Sequence, residues 1–555
     1  MIHPSIPFFF AALALPFLPK NLRSGLSIFA PAFALAIITG LPEGSTVFHT
    51  LPGFTLELLR VDSLSRIFAI VFCLVGVFGM LYAAHLKDAG ERSASLALMG
   101  GSIGVVFAGD WLTMFVFWEL MSVFSLFVIW FAGTPESRKA GMRYLLLHVL
   151  GGGTLFAGIL LHRAGGGVES FTALTTGPMT TGAWVILAGI AVNAAIPPLH
   201  SWLTDAYPEC SVTGSVVQSA FTTKTAVYAL IRAFPGQESL ILLGVVMALY
   251  GVVYAVFSND IRRLLAYHIV SQVGFMVAGV GLGSPLSLDG ATAHAFCHIL
   301  YKGLLFMSAG AIVTAAGTGK LTELGNVGRR MPGLIIFFFV GALSISGAPP
   351  FNGFISKTMT IAAFGEAHLI GMEMLLELAS VGTFLSIGLK LGWFAFFAKS
   401  SEEAEPYTPL PPNMSAAMGG LTMLCILFGV WPDLLYRALP QGAVYHPYTV
   451  SHVLGSLQLH VGTAIGFWVF LGVLAVKPKI ALDVDWLYRK PGIFLLTGFV
   501  GILKKIGVVF QKDGVEAVYA AVPNSYDVDG KRVPVGLSLF WISLFVGLLA
   551  FYAWT

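Results

Sequence analysis

Long apolar runs, each about the length of a membrane crossing, alternate along this chain with short polar stretches. A bilayer span needs about 20 mostly apolar residues. Hydropathy predicts sixteen spans, at 5–18, 25–41, 64–84, 94–108, 111–132, 142–162, 183–198, 212–233, 239–257, 264–282, 290–315, 333–370, 374–398, 413–431, 458–476 and 535–554. The twelfth reads as broken. The first lacks a basic leader region and a clear cleavage site, so it reads as a retained span and not a signal peptide. The stretch 477–534 is not a span. Within it, 493–522 reads as one apolar-biased helix interrupted by Lys504, Lys505, Lys512 and Asp513. That pattern suits a helix lying in the membrane interface. At 1.5 Å per residue it would reach about 45 Å, enough to clasp a neighbouring subunit. A plain surface helix is the alternative.

The pattern therefore predicts an all-α polytopic membrane protein. Its expected parts are N-terminal helices (1–93), two five-helix units (94–233 and 239–398), peripheral helices (413–476), the lateral segment (477–534) and a last span (535–555).

Positive charge orients this plan, because Lys and Arg concentrate in cytoplasmic loops. Of 31 basic residues, 22 fall in segments after odd-numbered spans, including 477–534, and 4 after even-numbered ones. Both termini are expected outside the cell membrane, with 477–534 in the cytoplasm.

Composition excludes other classes. The chain of 555 residues is 56% apolar and 11% charged, where soluble domains carry roughly 25% charged residues. A net charge of +3 without a dense basic stripe excludes a nucleic-acid binder. Cys73, Cys210, Cys297 and Cys425 are scattered, whereas disulfide frameworks, zinc sites and iron–sulfur clusters need grouped thiols. No cofactor and no metal are expected.

Two spans contain a double proline, Pro197-Pro198 in the seventh and Pro349-Pro350 in the twelfth. Proline removes a backbone donor and breaks the helical ladder. Such backbone survives at membrane depth only where protein or water satisfies it. The breaks lie five spans apart, and an odd offset inverts the second unit. Paired broken helices in inverted repeats mark the site of secondary transporters. Two unrelated kinks are the alternative.

Ionisable residues follow the same plan, and inside a membrane such residues are functional candidates by default. Glu119 is the sole acid in its apolar run. His294, His298 and Lys302 recur every four residues in the eleventh span and so share one helical face. Imidazole exchanges protons near neutral pH, and a buried amine can do so too. The row suits a proton relay; a metal or haem pair and polar packing are the competing readings. Lys224 and Lys357 have hydroxyl neighbours that could hold water. His148, His268 and Lys390 are secondary candidates, His148 beside three glycines and Lys390 five spans after Lys224.

These residues carry a resemblance. Phe117-Trp118-Glu119-Leu120-Met121, Pro198-Leu199-His200-Ser201-Trp202, Asp260-Ile261-Arg262-Arg263 and the stripe ending in Lys302 resemble the antiporter-like membrane subunits of respiratory complex I, Mrp cation/proton antiporters and hydrogenase-4-type hydrogenases. The resemblance covers about residues 60–400. It implies broken seventh and twelfth helices and a polar axis along the membrane middle. It also matches Glu119 to the family's fifth-helix glutamate, Lys224 to its eighth-helix lysine, Lys357 to its twelfth-helix charge, and His294, His298 and Lys302 to its connecting relay. One position departs: the family usually carries a lysine where Asn193 stands. Three readings follow for the first unit: Lys224 pairs with Glu119, Na⁺ binds through Glu119 and Asn193 oxygens, or this half does not pump.

The expected function is proton translocation, alone or against Na⁺, in a larger complex of membrane subunits embedded in lipid. An energy-coupling subunit, whose protons drive a partner's redox chemistry or inorganic-carbon uptake, is the alternative from a different class. No redox centre is expected in the chain itself.

Overall fold

A computed structural model describes residues 2–51, 54–398, 408–475, 483, 484 and 486. The chain divides into two compact units, 1–481 and 482–555. The predicted helix 493–522 and the sixteenth span 535–554 lie outside the described residues.

The elements of the first unit begin with α1 (Ile6–Ala14), α2 (Lys20–Gly40), β1 (Thr46–Leu51), β2 (Phe54–Arg60), α3 (Ser63–Tyr82), α4 (Gly90–Phe107), α5 (Trp111–Trp130) and α6 (Pro135–Ala164). There follow α7 (Thr181–Asn193), α8 (Ser201–Glu209), α9 (Val212–Ala220), α10 (Thr222–Ala233), α11 (Ser239–Phe257), α12 (Ile261–Leu282) and α13 (Pro285–Ala316). The remainder are α14 (Val327–Arg330), α15 (Pro332–Ser346), α16 (Asn352–Glu366), α17 (Ile370–Thr383), α18 (Pro412–Val430), α19 (Asp433–Tyr436), α20 (Val450–Val469) and α21 (Leu471–Leu474). Beyond Thr383, α17 runs on as wider π-helical turns, Phe384–Leu391 and Trp393–Phe397. Among the described residues, nine helices are long and apolar enough to cross a membrane.

The chain is a polytopic helical membrane protein, but not wholly α. β1 and β2 pair as an antiparallel hairpin, where the hydropathy pattern showed only a gap between spans. Val, Thr and Phe fit a pleated, half-buried surface, which favours strand here. The hairpin then braces the start of α5: Gly109 N donates to Glu57 O (2.9 Å) and Glu57 N to Asp110 Oδ2 (2.8 Å).

Asp110 caps α5 by accepting from the Leu112 and Thr113 amides, and Asp260 caps α12 by accepting from those of Arg262 and Arg263. Such a side chain satisfies amides that a helix start leaves without partners. Each cap is backed by a returning loop. Trp111 N donates to Glu169 O and Phe171 N to Gly109 O, while Ile261 N donates to Gly319 O and Leu321 N to Asn259 O. All four positions of the first set recur in the second after the same interval of chain.

Both proline breaks are present. α7 stops at Asn193 and resumes as α8 at Ser201, and α15 stops at Ser346 and resumes as α16 at Asn352. A third break was not expected. The predicted span 212–233 splits at Phe221 into α9 and α10. No proline or glycine lies at that split. Ser219, Thr222 and Thr223 surround it, and hydroxyl side chains of this kind compete with the helical ladder.

α13 runs through the middle of the core. It packs against α3, α9, α10, α12, α15, α16 and α18.

Candidate proton-conducting axis

His294, His298 and Lys302 share one face of α13 and are fully buried. The imidazole centroids of His294 and His298 are 6.3 Å apart, the spacing that one helical turn imposes. His294 Nδ1 is 3.0 Å from Ser356 Oγ on α16. Tyr301 stands edge-on to His298 at 5.2 Å, and the Lys302 ammonium lies 5.7 Å from the Phe306 ring centre. His294 Nε2, both nitrogens of His298, the Tyr301 hydroxyl and Lys302 Nζ are buried without a hydrogen-bond partner among the protein atoms.

A lysine lodges at a helix break on either side of this row. Lys357 Nζ donates to Ile345 O (2.7 Å) and Ser380 Oγ (3.1 Å). The carbonyl of Ile345 would ordinarily bond the amide four residues on, which is Pro349 and has no N–H; the ammonium takes its place. Ser346 O faces Pro350 and accepts from Ser380 Oγ at 3.2 Å. Lys224 Nζ donates to Ser219 O (2.6 Å), freed by the split at Phe221, and to Thr223 Oγ1 (3.0 Å). A carbonyl released by a break thus anchors each amine.

These groups form one electrostatic cluster. Lys224 and Lys302 are near enough for their charges to act on each other. His298 feels Lys224, Lys302 and Lys357, and His294 feels Lys357 and Lys224. His268 on α12 joins them, with Nε2 2.7 Å from Ser386 Oγ and under the charges of Lys302 and Lys357. Lys390 stands apart from the row. Its ammonium donates to Val256 O and to Ser258 O (3.2 Å), capping the end of α11.

The surroundings of Glu119 are arranged differently. Glu119 packs against Gly152 of α6, where a Cβ would come within 2.1 Å of its Oε1. That oxygen is buried without a partner. The Glu119–Lys224 pairing, one of the three readings left open, does not form: the Ser219 carbonyl and the Thr223 hydroxyl hold the amine instead. Asn193 ends α7 and leaves both its amide atoms without partners. His148 stacks on Tyr144 at 3.7 Å, with Nδ1 3.0 Å from the Tyr144 carbonyl and Trp202 edge-on at 4.6 Å. The charge of Glu119 reaches Tyr144, whose hydroxyl faces Ser125 and Thr222.

Sequence reasoning passed over Tyr144, Tyr301 and Ser380, whereas Thr222 and Ser356 are among the hydroxyl neighbours it expected beside Lys224 and Lys357. Tyr301 had a readable position, since it precedes Lys302. Tyr144 and Ser380 are joined to the cluster only by tertiary packing. Among the described residues, no group of three or more His, Cys, Asp or Glu is placed to hold a metal ion.

Comparison with known proteins places this architecture. Residues 108–397 match the transmembrane region described as NADH:quinone oxidoreductase/Mrp antiporter. An uncharacterized protein of Methanocaldococcus jannaschii is 32% identical over 392 residues, 67% of this chain and 80% of that protein. A Na(+)/H(+) antiporter subunit of Bacillus subtilis is 26% identical over 467 residues, 78% of this chain and 94% of the relative. Hydrogenase-4 component B of Escherichia coli is 30% identical over 418 residues, 67% of this chain but 62% of that longer protein. Two solved structures share the fold. The membrane-bound sulfane sulfur reductase, an archaeal respiratory membrane complex, contains a chain with a TM-score of 0.73 at 22% identity, covering 99% of each chain. The Mrp complex from Dietzia sp. gives 0.70 at 22% identity, covering 82% of this chain and 98% of its own. The chain belongs to the NADH:quinone oxidoreductase/Mrp antiporter transmembrane family.

Proposed function

We propose that this protein is a proton-translocating membrane subunit of a multi-subunit complex, with protons passing along the buried axis of Lys224, Lys302, His298, His294 and Lys357. The observation that carries this reading is the row on α13: buried bases at four-residue spacing, flanked by two lysines, with proton-bearing atoms that find no partner in the protein. Leaving a buried polar atom unpaired costs about 1–3 kcal/mol. Bound water typically satisfies such groups, and water between them makes the row a conducting chain. Because these charges act on one another, protonating one site changes the proton affinity of the next. Glu119 joins the axis through Tyr144 and Thr222, the latter two residues before Lys224. His268 serves the second half, and His148 and Asn193 line the first.

The same reading gives the scaffold two inverted five-helix repeats, 94–233 and 239–398, within sixteen spans. The matched Asp110 and Asp260 caps and the two proline breaks support it. The asymmetry of basic residues supports outer termini and a cytoplasmic 477–534 in the cell membrane. The driving chemistry resides in partner subunits.

The test is ion flux in membrane vesicles carrying the whole complex. Lys302→Ala is expected to abolish proton movement and Glu119→Gln to reduce it. Undiminished flux in both variants overturns the proposal.

A further inference from the structure

We propose that His460 on α20 is a further proton-relaying residue, linking Lys357 to the outer face of the bundle. The inference rests on Lys357 as a proton carrier and deepens that reading. It adds a helix that lies beyond the matched region 108–397.

α20 packs on the π-helical turns that follow α17. Leu454, Leu457, Val461 and Ile465 point outward and are exposed. Ser456 and His460 point the other way, toward the second proline break. Ser456 Oγ donates to Gly347 O at 3.0 Å. Gly347 has a φ of 75°, a left-handed conformation that glycine adopts without penalty. The stem of Lys357 crosses this residue, its Cδ 3.2 Å from where a Cβ would stand. One peptide of the break thus carries Lys357 against its Cα and Ser456 on its carbonyl.

His460 sits one helical turn from Ser456. Its Nδ1 is 2.6 Å from the Ser456 carbonyl oxygen and its ring meets Phe384 edge-on at 4.6 Å. A carbonyl can only accept, so Nδ1 carries the hydrogen. That bond fixes the tautomer and leaves Nε2 as the basic nitrogen. Nε2 is buried and makes no hydrogen bond of good geometry, with the Ser346 carbonyl of the same break also facing the ring, while the residue as a whole is half-buried at the edge of the bundle. The charge of Lys357 acts on His460.

The proton balance is simple. The Lys357 ammonium releases one proton, which Nε2 accepts directly or through one bound water. The imidazolium then gives up that same Nε2 proton to water at the edge of α20. Lys357, now neutral, is reloaded from the His294–Ser356 side. Reversing each step carries protons inward.

The experiment measures proton flux in vesicles carrying the complete complex. His460→Gln keeps a polar group of similar reach but cannot carry the proton, and flux is expected to fall about tenfold or more. His460→Ala should lose flux and regain it when imidazole is added, a rescue that repacking alone would not give. His452→Gln, two turns earlier on the same helix and held by Tyr445 and the Pro447 carbonyl, should transport as the parent does. Wild-type flux in His460→Gln overturns the inference. So does a folded, assembled His460→Ala that imidazole fails to restore. Should the alanine variant not assemble, the glutamine variant decides. Lys357→Met separates the two levels: flux retained there overturns the underlying proton path, whereas flux lost there and unchanged in His460→Gln overturns the role of His460 alone.

Discussion

The stretches around the two double prolines share a backbone plan and differ in what fills it. Three residues before the second proline stands Ala195 in one and Gly347 in the other, both at positive φ (56° and 75°). Three residues after it stands Ser201 in one and Gly353 in the other. The carbonyl just before the second break is held by Lys357. At the first break, Trp202 Nε1 donates to Val192 O at 2.8 Å and Asn193 stands unpaired. Burial differs as well. In their membrane-length windows α12 is 100% and α13 83% buried, against 50% for α5 and 39% for α6. The helices that carry His268 and the α13 row are wrapped in protein, while the two that meet at Glu119 keep open faces. A shared scaffold fixes where the helices break; the side chains at each break decide whether a charge is held there.

The largest expected difference is in stability. A Cβ on Gly353 would lie 1.7 Å from the Ser344 carbonyl oxygen, and backbone cannot yield as a side chain can. Gly353→Ala should destabilise by about 3 kcal/mol or more, the upper end of overpacking costs. Ser201→Ala, at the corresponding place in the first break, loses a hydroxyl and should cost about 1 kcal/mol. Thermal unfolding of the purified protein in detergent compares them. Equal losses would show that the two breaks are built alike after all.

The next contrast sets Lys224 against Lys390, the lysines five predicted spans apart. Both sit on carbonyls, but only Lys224 exchanges charge effects with the row on α13. Lys224→Met should cut vesicle proton flux about tenfold or more. Lys390→Met should leave flux near the parent's and lower stability by about 1–3 kcal/mol, because the Val256 and Ser258 carbonyls lose their donor. Flux lost equally in both variants would place Lys390 on the conducting path.

The proline breaks and the α13 row were readable because each follows from one local rule: a missing N–H, or a four-residue spacing. The split at Phe221 was not, since it rests on hydroxyl competition and on Lys224 capturing Ser219 O, a contact that exists only once the chain has folded. For the same reason the sequence left the partner of Lys224 open among three readings. Spacing along the chain says which groups share a helix face, not which of several acceptors an amine will reach first. The hairpin was lost between two strong apolar signals, and its role in bracing Asp110 depends on a contact from residue 57 to residue 110. His460 escaped because it sits outside the stretch of resemblance, and only the returning α20 brings it to the break at Gly347.

The smallest effect concerns how the end of the first unit is tied. Arg232 Nη2 holds both oxygens of Asp62 at 2.8 Å, whereas Lys390 ties the second unit to neutral carbonyls. Burial alone would push the Asp62 carboxyl up, but the Arg232 charge and the Ser65 amide outweigh it and hold it below its ordinary value. A lowered native pKa stabilises the fold at pH values above the unfolded pKa, about 3.9, and that contribution fades as pH falls through the native value. Asp62→Asn should therefore cost about 1 kcal/mol at pH 6, the range of a screened pair with a carboxylate side chain 35% exposed. Asparagine caps helices as well as aspartate does, so the start of α3 is preserved and the loss isolates the ion pair. Melting curves of parent and variant should converge as pH is lowered from 6 to 3, because the parent alone loses the Asp62 contribution there. A gap that persists at pH 3 would mean that Asp62 acts through its shape and hydrogen bonds, and that the first unit is no more charge-tied than the second.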